Sequence, residues 1–289
     1  EYLPGDLAHR GYGLDQVVGQ LAFGTEGIYG TPTYVSSSYI FLFILFGAFL
    51  EQAGMIDLFT NFALGTVGHT KGGPAKVAVV SSGLMGTING SGVANVVTTG
   101  QFTIPLMKRF GYSPAFAGGV EATASMGGQI MPPVMGAVAF IMAETINVPY
   151  VDIVKAAVIP AILYFFTAFW MVHLEAGRKG LMGLPKDECP NPWTAVHERW
   201  YLLLPLAGLV ALLFSGYTPM FSGTVGLALT VVLIFGAAVI SGVRGLALRG
   251  LFWVLLGLAC AGFFQFGVGT FMVVVALLVA LTYIRRTGQ

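Results

Sequence analysis

Charge is what this sequence has least of: Asp, Glu, Lys and Arg make up 9% of its 289 residues, against 56% hydrophobic residues. With a mean hydropathy of +0.80, that balance excludes an ordinary soluble domain and implies an integral membrane protein. Cysteine is almost missing. Cys189 and Cys260 stand in unrelated contexts with only His197 nearby, so neither a disulfide nor a metal centre is expected. No nucleophile with a neighbouring base, no metal-ligand cluster and no phosphate-binding loop can be found, so neither an enzyme nor a resident cofactor is expected. The net charge of +1 carries no sign of a nucleic-acid partner. The first residue is Glu1, and no basic, apolar, small-residue leader precedes the body. The chain is therefore expected to be a piece of a longer polypeptide.

What is present is a series of apolar segments. Residues 1–30 form a polar end containing "LDQVVGQLAFGTEGIYG", spaced for a short interfacial helix. The first span is expected over Ser36–Gly54. After it Met55, Leu58, Phe59, Phe62 and Ala63 share one helical face, with Asp57 and Asn61 elsewhere, so Met55–Gly68 reads as amphipathic and interfacial. Ser113–Ile146 is long enough to cross but is interrupted by "GGQIMPPVMG", where Pro132 and Pro133 break helical bonding. Val154–Leu174 is an ordinary span, Gly177–Arg199 a polar loop, and further spans follow at 200–217 and 222–240. The block Leu251–Ile284 suits two short spans turning near Gln265–Gly267.

Between residues 74 and 107 the pattern changes. Two apolar segments of fifteen residues, Pro74–Ile88 and Val93–Met107, are joined only by "NGSG", Asn89–Gly92. As helices each would reach about 22 Å, short of a hydrocarbon core of about 30 Å. Lys71 and Lys76 flank the entrance and Lys108 and Arg109 the exit, which puts both ends on one side. The expectation is a re-entrant helical hairpin with its tip near the midplane, where irregular backbone survives only against protein or a water-filled cavity. With the hairpin mouth facing the cytoplasm, twelve of the fourteen Lys and Arg fall on that side, leaving Arg10 and Lys155 outside, as the positive-inside rule demands.

The chemistry is expected at the tip. The first arm aims its C-terminal carbonyls there, suited to a cation, and the second begins with free N–H groups, suited to a carboxylate. Discontinuous helices of this kind hold substrate and coupling ion together in secondary transporters. Gly90 and Gly92 allow the turn, while Ser91, Asn89 and Asn95 offer polar atoms. The interruption at Gly128–Pro133 would add loose carbonyls for an ion such as sodium. A glycine packing seam accounts for Gly83, Gly86, Gly100, Gly118 and Gly119. Glu121 is read as the one acid inside a span. It has two readings: a coupling-ion or proton site, or a structural partner of Lys108 or Arg109. His69 and His173 read as interfacial, Trp170, Trp193 and Trp200 as membrane anchors, and Phe41, Phe43, Phe46 and Phe49 as lipid-facing or core.

"GGPAKVAVVSSGLMGTINGSGVANVVTTGQFTIPLMKRFGYSPAFAGG", followed by "GGQIMPPVMGAVAFIMAE", resembles the large membrane subunit of TRAP transporters, the tripartite ATP-independent periplasmic family, and is most similar to its fused TAXI-type permeases. The resemblance covers roughly Gly27–Tyr217. It implies an elevator-type secondary transporter of a bacterial or archaeal cytoplasmic membrane. Such a protein imports organic anions, dicarboxylates or related acids, with a sodium gradient, and receives them from a periplasmic TAXI-type solute-binding protein. It further implies that Ser91, Gly92, Asn95, Pro132 and Pro133 contact substrate, that Asn89, Gly90, Ser91 and Gly128 contact sodium, and that Met55–Gly68 links a scaffold to the moving part.

These permeases are built from inverted repeats, and a second hairpin is not found here; small-subunit-like spans are not found either. The small-subunit-like spans are expected in the same full-length chain, and the second hairpin either downstream or in a partner chain. The fold class expected is thus all-α, a polytopic membrane protein with one re-entrant hairpin and a broken transmembrane helix, half of an inverted-repeat elevator transporter. Its parts are residues 1–30 (interfacial), 31–70 (span and arm), 71–149 (hairpin and broken span), 150–199 (span and cytoplasmic loop) and 200–289 (further spans). The competing functions are an ion channel or pore-lining subunit, in which the tip is a filter, and a purely structural scaffold.

Overall fold

The computed structural model describes residues 11–241. The chain divides into two units, 1–227 and 228–289. Hairpin, arm and broken helix all belong to the first; of the second, residues 228–241 are described, an apolar run inside the helix Pro219–Ser241. The proposed turn near Gln265–Gly267, together with Arg10 and Cys260, lies outside the described residues. Among the described residues the regular structure is entirely helical. Among those residues three stretches, Thr31–Val67, Tyr150–Lys179 and Lys186–Phe214, are long and apolar enough to cross a membrane.

A short helix Leu14–Val18 and a π-helical turn Gly19–Phe23 open the described chain, with Leu14 and Phe23 exposed. The first long rod contains α1 (Phe41–Leu50), whose Phe43, Phe46 and Leu50 are buried. Phe41 faces outward, so the phenylalanine run serves both expected roles. The rod turns at Gly54, which adopts φ +102°, a conformation glycine takes without a Cβ penalty. Arg199 secures this corner, donating to the Gly54 carbonyl at 3.0 Å and pairing with Asp57 at 3.1 Å. Beyond it, α2 (Ile56–Val67) buries Leu58, Phe59 and Ala63 and leaves Asp57 and Asn61 exposed. That is the amphipathic division expected from the spacing.

The hairpin follows as α3 (Gly73–Asn89) and α4 (Gly92–Arg109). These arms have seventeen and eighteen residues rather than fifteen, because caps and hydrogen bonding end a helix, not the edge of its apolar run. At about 26 Å each they remain shorter than a hydrocarbon core of about 30 Å. Both arms pack on α5 (Pro114–Gly127), which starts at Pro114 with Ser113 Oγ accepting from the Phe116 N–H.

The expected break comes next. A single 3-10 turn, Gly128–Ile130, leads through Pro132 and Pro133, joined by a cis peptide bond, to α6 (Ala137–Ile146). Then come α7 (Tyr150–Lys179), α8 (Pro192–Arg199), α9 (Leu203–Phe214) and α10 (Pro219–Ser241). Two apolar cores hold the first unit. One, around Phe43, Phe46, Ile88, Met135 and Phe140, gathers at the tip end of the hairpin. The other, around Ala75, Val79, Met107, Tyr112 and Val172, closes its mouth.

Candidate functional site

The tip is narrower than "NGSG" suggests. Asn89 still closes α3 and Gly92 already opens α4, so only Gly90 and Ser91 are non-helical. Gly90 stops the first arm with φ +56°, and a Cβ there would run into the Met135 carbonyl. Ser91 starts the second arm, its Oγ accepting from the Ala94 N–H at 3.3 Å, which satisfies one free donor of the helix start. The Ser91 N–H in turn donates to Asn89 Oδ1 at 3.2 Å. Below the tip the hairpin presses on the broken helix, and a Cβ on Gly128 would lie 3.0 Å from Gly86 Cα.

A cavity of about 230 Å³ opens at this junction. The tip residues Asn89–Val93 form one wall, Gln129 and Val134–Ala137 of the break a second, and Ile40, Phe43, Ile44 and Phe140 an apolar third. The end of α3 and the start of α4 thus meet on one small space with apolar walls. Negative partial charge from the first and N–H groups of the second suit a cation and an anion side by side. A larger apolar groove of about 960 Å³ runs between α5 and α7. It does not reach the tip and brings no such helix ends together.

The residues singled out in the sequence divide. Asn89, Gly90, Ser91 and Gly92 line the cavity; Asn95, Gly128, Pro132 and Pro133 do not. Asn95 is fully buried inside the hairpin, where its Nδ2 donates to the Ser82 carbonyl at 2.9 Å. The carbonyls of the break are less loose than expected: that of Gly128 accepts from the Met131 N–H at 3.2 Å, and that of Gln129 from the Gly136 N–H at 2.7 Å. Tyr150 Oη lies within hydrogen-bonding reach of the Pro133 and Val134 carbonyls.

Glu121 is fully buried, and four hydroxyls converge on its carboxylate. Ser82 donates from α3 at 3.1 Å and Ser125 from α5 at 3.0 Å, with Thr99 and Thr103 donating from α4. One side chain therefore ties both arms to the broken helix. It is not a partner of Lys108 or Arg109: Lys108 is exposed, and Arg109 pairs with Glu188 at 3.6 Å. The packing seam holds at Gly83, Gly86 and Gly100, whereas Gly118 and Gly119 have no neighbour within 4 Å of a Cβ among the described residues.

Nor is Glu121 the one acid inside a span. Glu51, within the rod Thr31–Val67, accepts from Asn89 Nδ2 at 2.7 Å and so touches the tip directly. A carboxylate at the end of "FLFILFGAFLE" is itself a sequence signal of such a contact.

Two helix ends side by side at one cavity, within an all-α polytopic membrane fold, are the arrangement of a membrane-transport protein. The model of the tripartite ATP-independent periplasmic transporter family, DctM component, matches residues 14–286, and the chain belongs to that family. It is 31% identical over 179 residues to a C4-dicarboxylate TRAP transporter large permease protein of Pseudomonas aeruginosa, covering 61% of this chain and 41% of that one. It is 28% identical over 178 residues to a sialic acid TRAP transporter large permease protein of Vibrio cholerae, covering 61% and 41%. With a sialic acid TRAP transporter permease protein of Haemophilus influenzae it shares 27% identity over 194 residues, 66% of this chain and 31% of that one. The chain thus spans less than half the length of these curated relatives. Family and apolar helices together make it a multi-pass inner-membrane protein.

Proposed function

We propose that this chain supplies the first-repeat transport core of a TRAP-type permease that takes up organic anions, dicarboxylates or related acids, with a sodium gradient. The observation that carries the reading is the cavity at which α3 ends and α4 begins. Sodium sits on the side of the α3 carbonyls, with Asn89, Gly90 and Ser91, and a substrate carboxylate on the side of the α4 N–H groups, with Ser91 and Gly92. Gly128, outside the cavity lining, packs against the hairpin at Gly86. Asn95, Pro132 and Pro133 support these groups from behind, and Glu121 serves as the coupling acid.

The hairpin is re-entrant from the cytoplasmic face of a bacterial or archaeal membrane, and α2 is the arm on which hairpin and broken helix move as an elevator. Support for the arm comes from the Gly54 corner clamped by Arg199. The second repeat and the small-subunit-like helices lie in the same full-length chain, of TAXI type, which receives substrate from a periplasmic solute-binding protein. The names of the matched relatives, for C4-dicarboxylates and sialic acid, favour an acidic substrate.

The complete transporter, reconstituted in vesicles, is expected to show saturable uptake that needs both sodium and the binding protein, and Ser91→Ala should lower it about tenfold or more. Voltage-driven current without any organic acid would replace this reading by a channel. Unchanged uptake in Ser91→Ala would remove the tip from the site.

A further inference from the structure

We propose that Glu51 is a positioning residue for the cation side of the tip, acting through the Asn89 amide; the inference rests on the reading just given. The rod comes close to the end of α3 at Gly47, where a Cβ would lie 2.9 Å from the Ile88 carbonyl oxygen and 3.1 Å from Asn89 Cα. One turn further on the same face stands Glu51. Its carboxylate takes a hydrogen bond from Asn89 Nδ2 at 2.7 Å. Among the described residues no Lys, Arg or His forms an ion pair with it.

An ionised carboxylate only accepts hydrogen bonds, whereas the two ends of an amide differ, one a double donor and the other an acceptor with two lone pairs. Glu51 therefore decides which end of Asn89 faces it. The NH₂ group must turn toward the rod and Oδ1 toward the turn, where it accepts from the Ser91 N–H at 3.2 Å and retains a second lone pair. That oxygen stands beside the carbonyl end of α3, so Glu51 makes the side-chain and helix-end contributions agree in sign. Released from Glu51, the amide is held by the Ser91 N–H alone and rotates more readily to present hydrogens where a cation would lie. Within the tip the Ser91 N–H, which can only donate, favours the same orientation through the longer 3.2 Å bond, so Glu51 adds the second and shorter of the two contacts that fix the amide.

The test uses the complete permease with its binding protein, comparing wild type with Glu51→Gln, Glu51→Ala and Glu51→Asp. Glutamine keeps the shape and a hydrogen bond but no longer dictates the amide orientation. Glu51→Gln and Glu51→Ala should raise the sodium concentration for half-maximal uptake by about fivefold or more, while substrate half-saturation at saturating sodium stays within about twofold. Glu51→Asp, still acceptor-only, should recover part of the shift. Should Glu51→Ala fail to fold, sodium-dependent thermal stabilisation of purified Glu51→Gln, with choline as control, provides the same comparison. A Glu51→Gln sodium dependence equal to that of wild type would overturn the proposal and leave Glu51 as a simple tie. A wild-type transporter that ignores sodium would overturn both this inference and the sodium coupling beneath it.

Discussion

The two arms of the hairpin differ more than their similar lengths suggest. In α3 fourteen of seventeen residues are buried; in α4 only six of eighteen are, namely Gly92, Asn95, Thr99, Gly100, Thr103 and Met107. The buried stripe of α4 is largely polar or small, while Val93, Val97 and Phe102 are exposed. This helix is inside-out by the standard of a water-soluble protein, where the apolar stripe turns inward. Such an arm is stable only where its outer face meets lipid or further protein, and where each inward polar group finds a partner. Glu121 is that partner for Thr99 and Thr103, so the second arm is held by polar contacts and the first by close packing.

The contrast can be broken at three places, in descending order of effect. Glu121→Ala removes the acceptor shared by all three helices. Thr99 and Thr103 can fall back on the carbonyls of Asn95 and Thr99, at 2.7 and 3.0 Å, but Ser82 and Ser125 lose the carboxylate. A loss of about 2–4 kcal/mol is expected, read as a lower denaturation midpoint of the complete permease in detergent, and a loss below about 0.5 kcal/mol would mean the carboxylate does not tie the arms.

Gly90→Ala places a Cβ against the Met135 carbonyl at a positive φ. It should destabilise by about 1–3 kcal/mol and lower uptake, and near-normal uptake would show that the tip relaxes freely. The smallest effect separates the faces of α4. Thr99→Val, on the inner stripe, should cost about 1 kcal/mol, whereas Val97→Thr, on the outer face, should stay within about 0.5 kcal/mol in detergent. Equal costs would end the distinction between the two faces.

Much of this was readable beforehand because it rests on local rules. A polar interruption between two short apolar runs can only be a turn, and Pro132–Pro133 cannot continue a helix. The spacing from Met55 to Ala63 marks an amphipathic face. Pairings across the chain were not readable. Asn95 was grouped with the tip as a polar amide in a matching motif, yet its side chain lies in the hairpin interior, on the Ser82 carbonyl. Gly118 and Gly119 looked like a seam by composition, but among the described residues nothing lies within 4 Å of where their Cβ atoms would be.

The amino-acid sequence by itself determined that this is an all-helical membrane protein with a broken hairpin and a broken helix, since burial of backbone in lipid and the demands of Gly and Pro act over a few residues. Only the tertiary structure decided which groups the two acids touch. Glu51 and Glu121 are separated from Asn89 and Ser82 by 38 and 39 positions, and a hydrogen bond across such a distance depends on how helices dock, not on which residues stand next to each other.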